Sequence, residues 1–287
     1  MAEIKEILES AGLVLKDFGR EFRCKCPFRD SRNTTSFSIN KVTGAWIDFG
    51  TGNGGQFPEL LHLLGVKDAD FTPVERNYAE DPLETEKIFN PAILKELSKD
   101  YSYWVGRGIS EATVKEFGGG VDLQWKLKNR YVFPVWNGHK KIVGLFGRDL
   151  TGNPNVVKYK ILGRKKEFRW PLFLNNAIIQ ESRAAILTES PADVLKFWDC
   201  GIKNVICLFG TTISSSMIGL LIRYNLQSII IATNNEPDND NIGNKAAVKI
   251  QDSLLQYFDR DRIKIKLPTK KDFAVMTAAE IELWNKL

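Results

Sequence analysis

The sequence predicts an α/β protein built from a small β-rich module, a mixed basic region and a parallel sheet covered by helices. Residues 1–66 hold short β-like runs, residues 67–90 are polar without a steady period, and strands and helices alternate from residue 183 onward. With 287 residues, 43% of them hydrophobic, the chain is long enough for two or three domains with their own cores. We therefore expect four segments, over residues 1–66, 67–90, 91–182 and 183–287.

The first segment opens with an amphipathic helical pattern, IKEILESAGL, followed by the β-like runs EFRCKC, TSFSIN and GAWIDF and a helical pattern over residues 57–64. The stretch after it contains two prolines and many charges, which is typical of a linker. Two of the four cysteines fall within apolar segments, so we expect no disulfide framework.

The middle segment combines a helical pattern, ISEATVKEFG, with the strands RYVFPVW and KIVGLFGRDL. It carries sixteen Lys and Arg against eight Asp and Glu, a net charge of +8 that exceeds the +5 of the whole chain. A basic patch of this kind suits a polyanion, because each neutralised phosphate releases counterions. An ordinary solvated basic face would explain the charge equally well.

In the last segment the strands AAILTE, NVICLFG, SIIIAT and RIKIKLP are separated by the helical patterns PADVLKFWDCG, SSSMIGLLIRYN and NKAAVKIQDSLLQYF. Apolar strands alternating with helices predict a parallel sheet buried on both faces. Ligands of such sheets lie beyond the carboxyl ends of the strands. The residues just after each strand are therefore the candidates for chemistry.

Acidic residues occupy two of these strand ends. Glu189 ends the first strand, and the turn TNNEPDND after the third contains Glu236, Asp238 and Asp240. Two carboxylates about 4 Å apart repel by about 4 kcal/mol at an effective dielectric of 20, so such a cluster favours a cation, and hard oxygen ligands favour Mg²⁺. Two alternatives stay open: Asp193 serves only to cap a helix that starts at Ser190, and the acidic run is a turn bonded to its own backbone.

These residues resemble the Toprim domain, which bacterial-type primases, topoisomerases and some nucleases share. The resemblance rests on Glu189 with Asp193, Leu208 to Thr211, the acidic turn after Ile229 to Ile231, Gly243, Ala246 and Ala247. The preceding region resembles the basic half of a primase core and narrows the choice to primases. Its motifs, in order, are Tyr103-Trp104, Arg107 to Ser110, Phe117-Gly118, Asn129 to Pro134, Val143 to Arg148 and Lys158-Tyr159.

This resemblance implies a DNA primase that makes short RNA primers on single-stranded DNA from ribonucleoside triphosphates. It implies catalytic roles for Glu189, Asp193, Glu236 and Asp238, and metal ligation by Glu189, Glu236, Asp238 and Asp240, with Mg²⁺ or Mn²⁺ as cofactor. It further implies a nucleotide- and DNA-binding set made of Arg107, Arg130, Arg148, Lys158, Lys160 and Asp272. A separate replicative helicase is the expected protein partner.

One position departs from the family pattern, because Asn234 stands where Toprim domains have the first Asp of their Asp-x-Asp pair. The amide oxygen can ligate a metal but brings no charge. Two other functions therefore remain open: a Toprim nuclease, and a catalytically inactive protein that binds nucleic acid.

The first segment resembles the zinc ribbon that precedes the polymerase core of primases, through Cys26-Pro27-Phe28, Ser36 to Ile39, Asp48 to Gly50 and Gly54-Gly55. Where the family carries metal ligands, this chain has Cys26, Arg29, Asp48 and Thr51. A tetrahedral zinc site needs four donor atoms, which Arg and Thr do not complete. We expect this module to fold without zinc.

The chain has no run of about 18 apolar residues, and its amino terminus is charged from the third residue, so we expect a cytoplasmic protein without a membrane partner. A short chain without a helicase-docking domain would suit a phage or a mobile element.

Overall fold

A computed structural model of the chain supplies the fold. It describes residues 4–19, 21–41, 44, 46–49, 54–55, 57–66, 88–165, 168–214, 217–218, 220–221, 224, 226–236, 242–255, 258 and 260–286. The chain forms two compact units, one of residues 1–81 with 253–260 and one of residues 82–252 with 261–287. Among the described residues, no helix combines the length and the apolar character needed to cross a bilayer.

The first unit contains an antiparallel sheet in which the strands follow one another in chain order. Its elements are α1 (Ile4–Ser10), β1 (Lys16–Phe18), β2 (Glu21–Cys24), β3 (Phe37–Asn40), β4 (Trp46–Asp48), β5 (Gly54–Gly55) and α2 (Phe57–Leu63). Apolar side chains from both helices and from β2 to β4 form one core. Phe37 stacks on Trp46 within it, with ring centroids 5.3 Å apart, so aromatic packing supports this small sheet.

The second unit begins with a second antiparallel sheet, again with neighbouring strands consecutive in sequence. Its elements are α3 (Ser102–Val105), α4 (Glu111–Glu116), β6 (Gly120–Asp122), β7 (Arg130–Trp136), β8 (Ile142–Asp149), β9 (Tyr159–Gly163) and α5 (Leu172–Ser182). Strand β8 is almost entirely buried, and a Cβ on its Gly144 would lie 2.1 Å from the Phe168 ring. Glycine is therefore required where that ring crosses the strand.

The same unit ends in a four-stranded sheet in which every pair of neighbours is parallel. Its elements are β10 (Ala184–Thr188), α6 (Pro191–Asp199), β11 (Val205–Cys207), β12 (Ser228–Ala232), α7 (Ile242–Leu254), β13 (Ile263–Ile265) and α8 (Ala278–Lys286). The strand order is β11-β10-β12-β13, which places β10 and β12 at the centre. The predicted fold class is confirmed.

Three details differ from the sequence predictions. Strand β11 ends at Cys207, because Phe209 and Gly210 adopt positive φ values of 55° and 147° that a strand does not allow. Helices α5 and α8 were not predicted from the sequence. Most of the expected linker, residues 67–87, lies outside the described part of the chain, and Phe89 at its end is buried and pairs with Ile142 of β8.

One aromatic cluster joins the antiparallel and parallel sheets of the second unit into a common core. Phe133 of β7 lies at its centre and is fully buried. Its ring contacts five others with centroid distances from 4.8 to 6.2 Å: those of Trp104, Phe117, Tyr131, Phe146 and Trp170.

We predict that Phe133→Ala lowers the free energy of unfolding by about 3 to 5 kcal/mol, because the cavity it leaves is enclosed by rigid rings. Urea denaturation followed by tryptophan fluorescence measures this change. Leu283→Ala is the control, since Leu283 is 60% exposed on α8 and its truncation should change stability by less than about 0.5 kcal/mol. A loss below about 1 kcal/mol for Phe133→Ala would contradict the assignment of this cluster as the common core.

Candidate active site

The candidate site lies at the carboxyl edge of the parallel sheet. Thr188 of β10 pairs with Ala232 of β12, so the residues that follow both strands emerge side by side. Glu189 and Asn234 lie there, with 3.5 Å between a Glu189 carboxylate oxygen and the backbone nitrogen of Asn234. The backbone of Glu189 is held in turn by Gly210, whose N–H donates to its carbonyl at 3.0 Å.

Several charged groups near this edge of the sheet act on the carboxylate of Glu189. Burial raises the pKa of Glu189, the Asn234 N–H lowers it, and the negative charges of Glu236 and Asp272 raise it again. The positive charge of Lys158 on the neighbouring basic subdomain acts in the opposite direction. Two further carboxylates and one ammonium group are thus within electrostatic reach of Glu189, and a divalent cation would offset the repulsion between Glu189 and the two acids.

The other predicted metal ligands have different surroundings. The side chain of Glu236 is 16% exposed and pairs with Lys271 at 3.6 Å. Asp238 and Asp240 lie outside the described residues. Among the described residues, no group of three or more Asp, Glu, His or Cys side chains lies close enough to hold a metal ion.

Asn234 contributes an independent sign of a ligand site. Its side-chain oxygen Oδ1 is buried and has no hydrogen-bond partner among the described residues. Buried polar atoms are nearly always paired, so an orphaned carbonyl oxygen beside Glu189 fits a position that faces a cation. The backbone of Asn234 is tightly packed, because a Cβ on Gly243 would lie 2.0 Å from the backbone carbonyl oxygen of Asn234.

Asp193 is fully buried at the start of α6 and is hydrogen-bonded at both carboxylate oxygens. It accepts from the Ser190 backbone N–H at 3.1 Å and from the Ser190 hydroxyl at 2.8 Å, and from the Ala274 N–H at 3.2 Å. Burial raises the pKa of Asp193 to about 7. Asp193 therefore joins α6 to the short turn Phe273–Val275 that Asp272 caps, which supports a positioning role beside its predicted catalytic one.

Helix α6 uses three polar side chains at intervals of three residues to fasten the turn Phe273–Val275, the loop between α3 and α4, and the start of α4. Asp193 binds the Ala274 backbone, Lys196 donates to the Gly108 carbonyl at 3.0 Å, and Asp199 accepts from the Ser110 backbone and from the Thr113 hydroxyl. The acidic edge of the parallel sheet is thereby connected to the loop that carries Arg107.

The predicted basic residues fall into three environments. Arg107, Lys158 and Lys160 are exposed, and Lys160 donates to the Lys126 carbonyl at 2.9 Å. Arg148 is half-buried, and its Nε donates to the Tyr103 hydroxyl at 2.8 Å.

Arg130 is only 6% exposed and donates to the carbonyls of Gly147, Val157 and Lys158. Asp149 lies 3.9 Å from its guanidinium group, so its charge is compensated inside the protein. We expect Arg130 to act by holding the segment before Lys158 in place, and not through direct contact with a nucleotide.

Two contributors to the site were not assigned a role from the sequence. Lys271 pairs with Glu236, and its position next to Asp272 was the available signal. Tyr103 contacts two of the predicted basic residues, and only its place in the motif Tyr103-Trp104, just before the motif that contains Arg107, pointed to it.

In the zinc-ribbon-like module, an ion pair occupies two of the positions where the family carries metal ligands. Arg29 donates two hydrogen bonds of 2.8 Å to the Asp48 carboxylate, from Nε and from Nη2. The Asp48 side chain is only 5% exposed. Burial raises the pKa of Cys24 to about 12 and also raises that of Cys26, so both stay protonated at neutral pH. Thr51 lies outside the described residues. A carboxylate already bound by Arg29, and an arginine that cannot itself ligate zinc, do not complete a tetrahedral zinc site.

Comparison with known proteins supports the predicted resemblance to Toprim domains and to primases. A family described as Toprim-like matches residues 186–276. The chain is 24% identical over 317 residues to the DNA primase of Halalkalibacterium halodurans, with 88% of this chain and 52% of the relative covered. It is 23% identical to the DNA primase of Clostridium acetobutylicum, with 92% and 53% covered. The chain thus spans about half the length of the curated relatives it matches.

Solved structures resemble the whole chain as well as its second part. The crystal structure of the zinc-binding and RNA polymerase domains of Aquifex aeolicus primase matches with a TM-score of 0.57 and 19% identity, covering 100% of this chain and 85% of that one. A DNA primase domain from Pseudomonas aeruginosa matches with a TM-score of 0.57 and 18% identity, covering 68% and 76%. The chain is thus similar to bacterial-type DNA primases, and its Toprim-like part lies within residues 186–276.

We predict that protein purified without chelator contains well under one zinc per chain by elemental analysis, and that a chelator leaves its melting temperature unchanged. Asp48→Asn should instead lower the free energy of unfolding by about 2 to 3 kcal/mol, because it removes the negative charge that pairs with Arg29. Asp30→Asn is the matched control, since Asp30 is 96% exposed in its pair with Lys25 and should matter little. Stoichiometric zinc with chelator-sensitive melting would show that the ion pair does not replace a metal.

Proposed function

We propose that this chain, a relative of bacterial-type DNA primases, synthesises short RNA primers on single-stranded DNA by metal-dependent nucleotidyl transfer. The observation that carries the proposal is the junction at Glu189. There Glu189 and Asn234 meet at the acidic edge of the Toprim sheet, with 3.5 Å between a Glu189 carboxylate oxygen and the Asn234 backbone nitrogen, and this sheet shares one core with the antiparallel basic subdomain, whose Lys158 acts on the Glu189 charge. A polymerase needs both parts, one for metal ions and one for the phosphates of template and incoming nucleotide.

In the proposed reaction the 3′-hydroxyl of the growing primer attacks the α-phosphorus of a ribonucleoside triphosphate, and pyrophosphate leaves. Glu189, Glu236 and the Asn234 oxygen would hold Mg²⁺, with Asp238 and Asp240 as further predicted ligands. When bound, the metal neutralises charge on the phosphates and favours ionisation of the attacking hydroxyl. Asp193 and Asp272 keep the two sides of this edge in place through the Ala274 and Val275 amides.

The basic subdomain would supply the phosphate contacts. Arg107 and Lys158 are exposed, and Arg148 presents part of its guanidinium group beside Tyr103. Neither Arg107 nor Arg148 forms an ion pair with a carboxylate among the described residues. A solved primase catalytic domain bound to single-stranded DNA has a related fold, with a TM-score of 0.57. Single-stranded DNA and ribonucleoside triphosphates are accordingly the proposed ligands, and a separate replicative helicase is the proposed protein partner.

One assay separates this function from its two rivals. The protein is incubated with labelled single-stranded DNA, ribonucleoside triphosphates and Mg²⁺. Short RNA products support a primase, a degraded template supports a Toprim nuclease, and retention of DNA without products supports an inactive binding protein.

We predict that Glu189→Gln reduces primer synthesis by at least about a hundredfold while the affinity for single-stranded DNA stays within twofold. The substitution keeps the shape of the side chain and removes the charge at the centre of the acidic edge. Glu181→Gln, at an exposed position on α5, is the control and should leave synthesis unchanged. Normal synthesis by Glu189→Gln would remove Glu189 from the catalytic machinery.

We also predict that Asn234→Asp tightens Mn²⁺ binding by roughly tenfold, since it adds a charge where the orphaned amide oxygen lies. Electron paramagnetic resonance of free Mn²⁺ measures this affinity without any turnover. Asn235→Asp makes the same charge change one residue away, where the side chain donates to the Pro268 carbonyl, and should tighten binding less. Equal effects of the two substitutions would mean that only net charge matters and that Asn234 is not a ligand.

A further inference from the structure

We propose that Tyr103 is a positioning residue that holds Arg107 and Arg148 together as one phosphate-binding unit. This inference rests on the proposed function, because it assigns a task to the basic subdomain of that same site. The ligand chemistry is a phosphate group, carried either by the DNA template or by the incoming triphosphate.

The Tyr103 side chain lies close to two guanidinium groups, those of Arg107 and Arg148. The central carbon atoms of Arg107 and Arg148 each lie 5.9 Å from the centre of its ring. The hydroxyl also accepts a hydrogen bond from Nε of Arg148 at 2.8 Å. One side chain therefore fixes both cations, the first through its ring face and the second through ring and hydroxyl.

The support beneath Tyr103 is rigid. Its ring meets the ring of Trp104 edge to face, with centroids 5.1 Å apart and planes at 85°, and Trp104 is buried in the aromatic core. The Arg148 guanidinium also lies 5.3 Å from the centre of the Tyr159 ring, and Arg148 and Tyr159 are direct partners on β8 and β9. Arg148 thus has two tyrosine rings close to its guanidinium group.

The backbone near Arg107 is fastened as well. The Arg107 N–H donates to the Trp104 carbonyl at 3.0 Å, and the next carbonyl, that of Gly108, accepts from Lys196 of α6. Two cations gathered on one ring repel each other, and no described carboxylate pairs with either of them. An anion that contacts both would relieve this repulsion, and a phosphate offers oxygen atoms to both guanidinium groups.

A purely structural role for Tyr103 makes a different prediction. The residue is half-exposed, so loss of its hydroxyl would then change stability slightly and leave phosphate binding intact. The test must therefore measure binding directly, with folding checked by thermal denaturation of each variant.

The experiment compares Tyr103→Phe with wild type in the full chain. The substitution keeps the ring and removes only the hydrogen bond to Arg148, which is worth about a tenfold change in affinity when the partner is charged. In the template arm, binding of a labelled oligothymidylate is measured over a range of salt concentrations. In the triphosphate arm, KM and kcat for ATP are measured during primer synthesis.

We expect Tyr103→Phe to weaken one of these two interactions by five- to tenfold and to leave kcat within twofold. A weaker oligothymidylate complex with a flatter salt dependence assigns the phosphate to the template, and a raised KM for ATP assigns it to the triphosphate. Tyr101→Phe is the matched control, because Tyr101 precedes α3 and contacts Lys115 instead of an arginine.

A double-mutant cycle with Arg148→Lys tests whether Tyr103 acts through Arg148. If it does, Tyr103→Phe has little further effect in the Arg148→Lys background. The proposal is overturned if Tyr103→Phe is folded and matches Tyr101→Phe in both arms. If the chain makes no primers, equilibrium dialysis of labelled ATP replaces the kinetic triphosphate arm, so neither arm needs catalysis and a failure of the proposed function stays distinguishable from a failure of this inference.

Discussion

The parallel pairing of β10 with β12 is the constraint on which the candidate site depends. Thr188 lies opposite Ala232, so Glu189 and the turn that begins at Thr233 leave the sheet at the same level. A slip of one residue would turn the side chains of the strand to the opposite face and carry Glu189 away from Asn234. The buried Ile, Leu and Ala side chains of the two strands fix the register, and the position of the acids follows from it.

The second unit carries its acidic and basic candidate residues on different parts of one core. The acidic residues belong to strand ends of the parallel sheet, whereas Arg107 and Arg148 belong to the antiparallel subdomain. Aromatic packing around Phe133 holds the two sheets to one core, and α6 fastens the loops. Uncompensated charges of both signs are costly in a folded protein, and they persist here because apolar burial elsewhere stabilises the fold.

Much of this arrangement could be predicted from the sequence, because the apolar period of each strand ends where a polar residue begins. Glu189 and Glu236 were found in this way. The burial of Arg130 was not, since a long cation on a strand gives the same pattern whether it faces solvent or carbonyl groups. The ion pair of Arg29 and Asp48 was not predicted either, although both stand at ligand positions of the zinc-ribbon pattern, because the pattern shows which positions meet and not how the replacement side chains bond. The early end of β11 depends on the backbone of Phe209, for which a sequence pattern has no signal.

Helix α6 makes contacts within the protein on every side. Its residues from Pro191 to Trp198 are all buried, its apolar side chains belong to the common core, and its polar ones are bonded to the turn Phe273–Val275, to the loop between α3 and α4 and to α4 itself. A substitution on any side of this helix therefore disturbs a contact inside the protein. Sequence change in distant relatives should be slowest over these nine residues, which would make PADVLKFWD a more durable signature than the acidic turn that begins at Thr233.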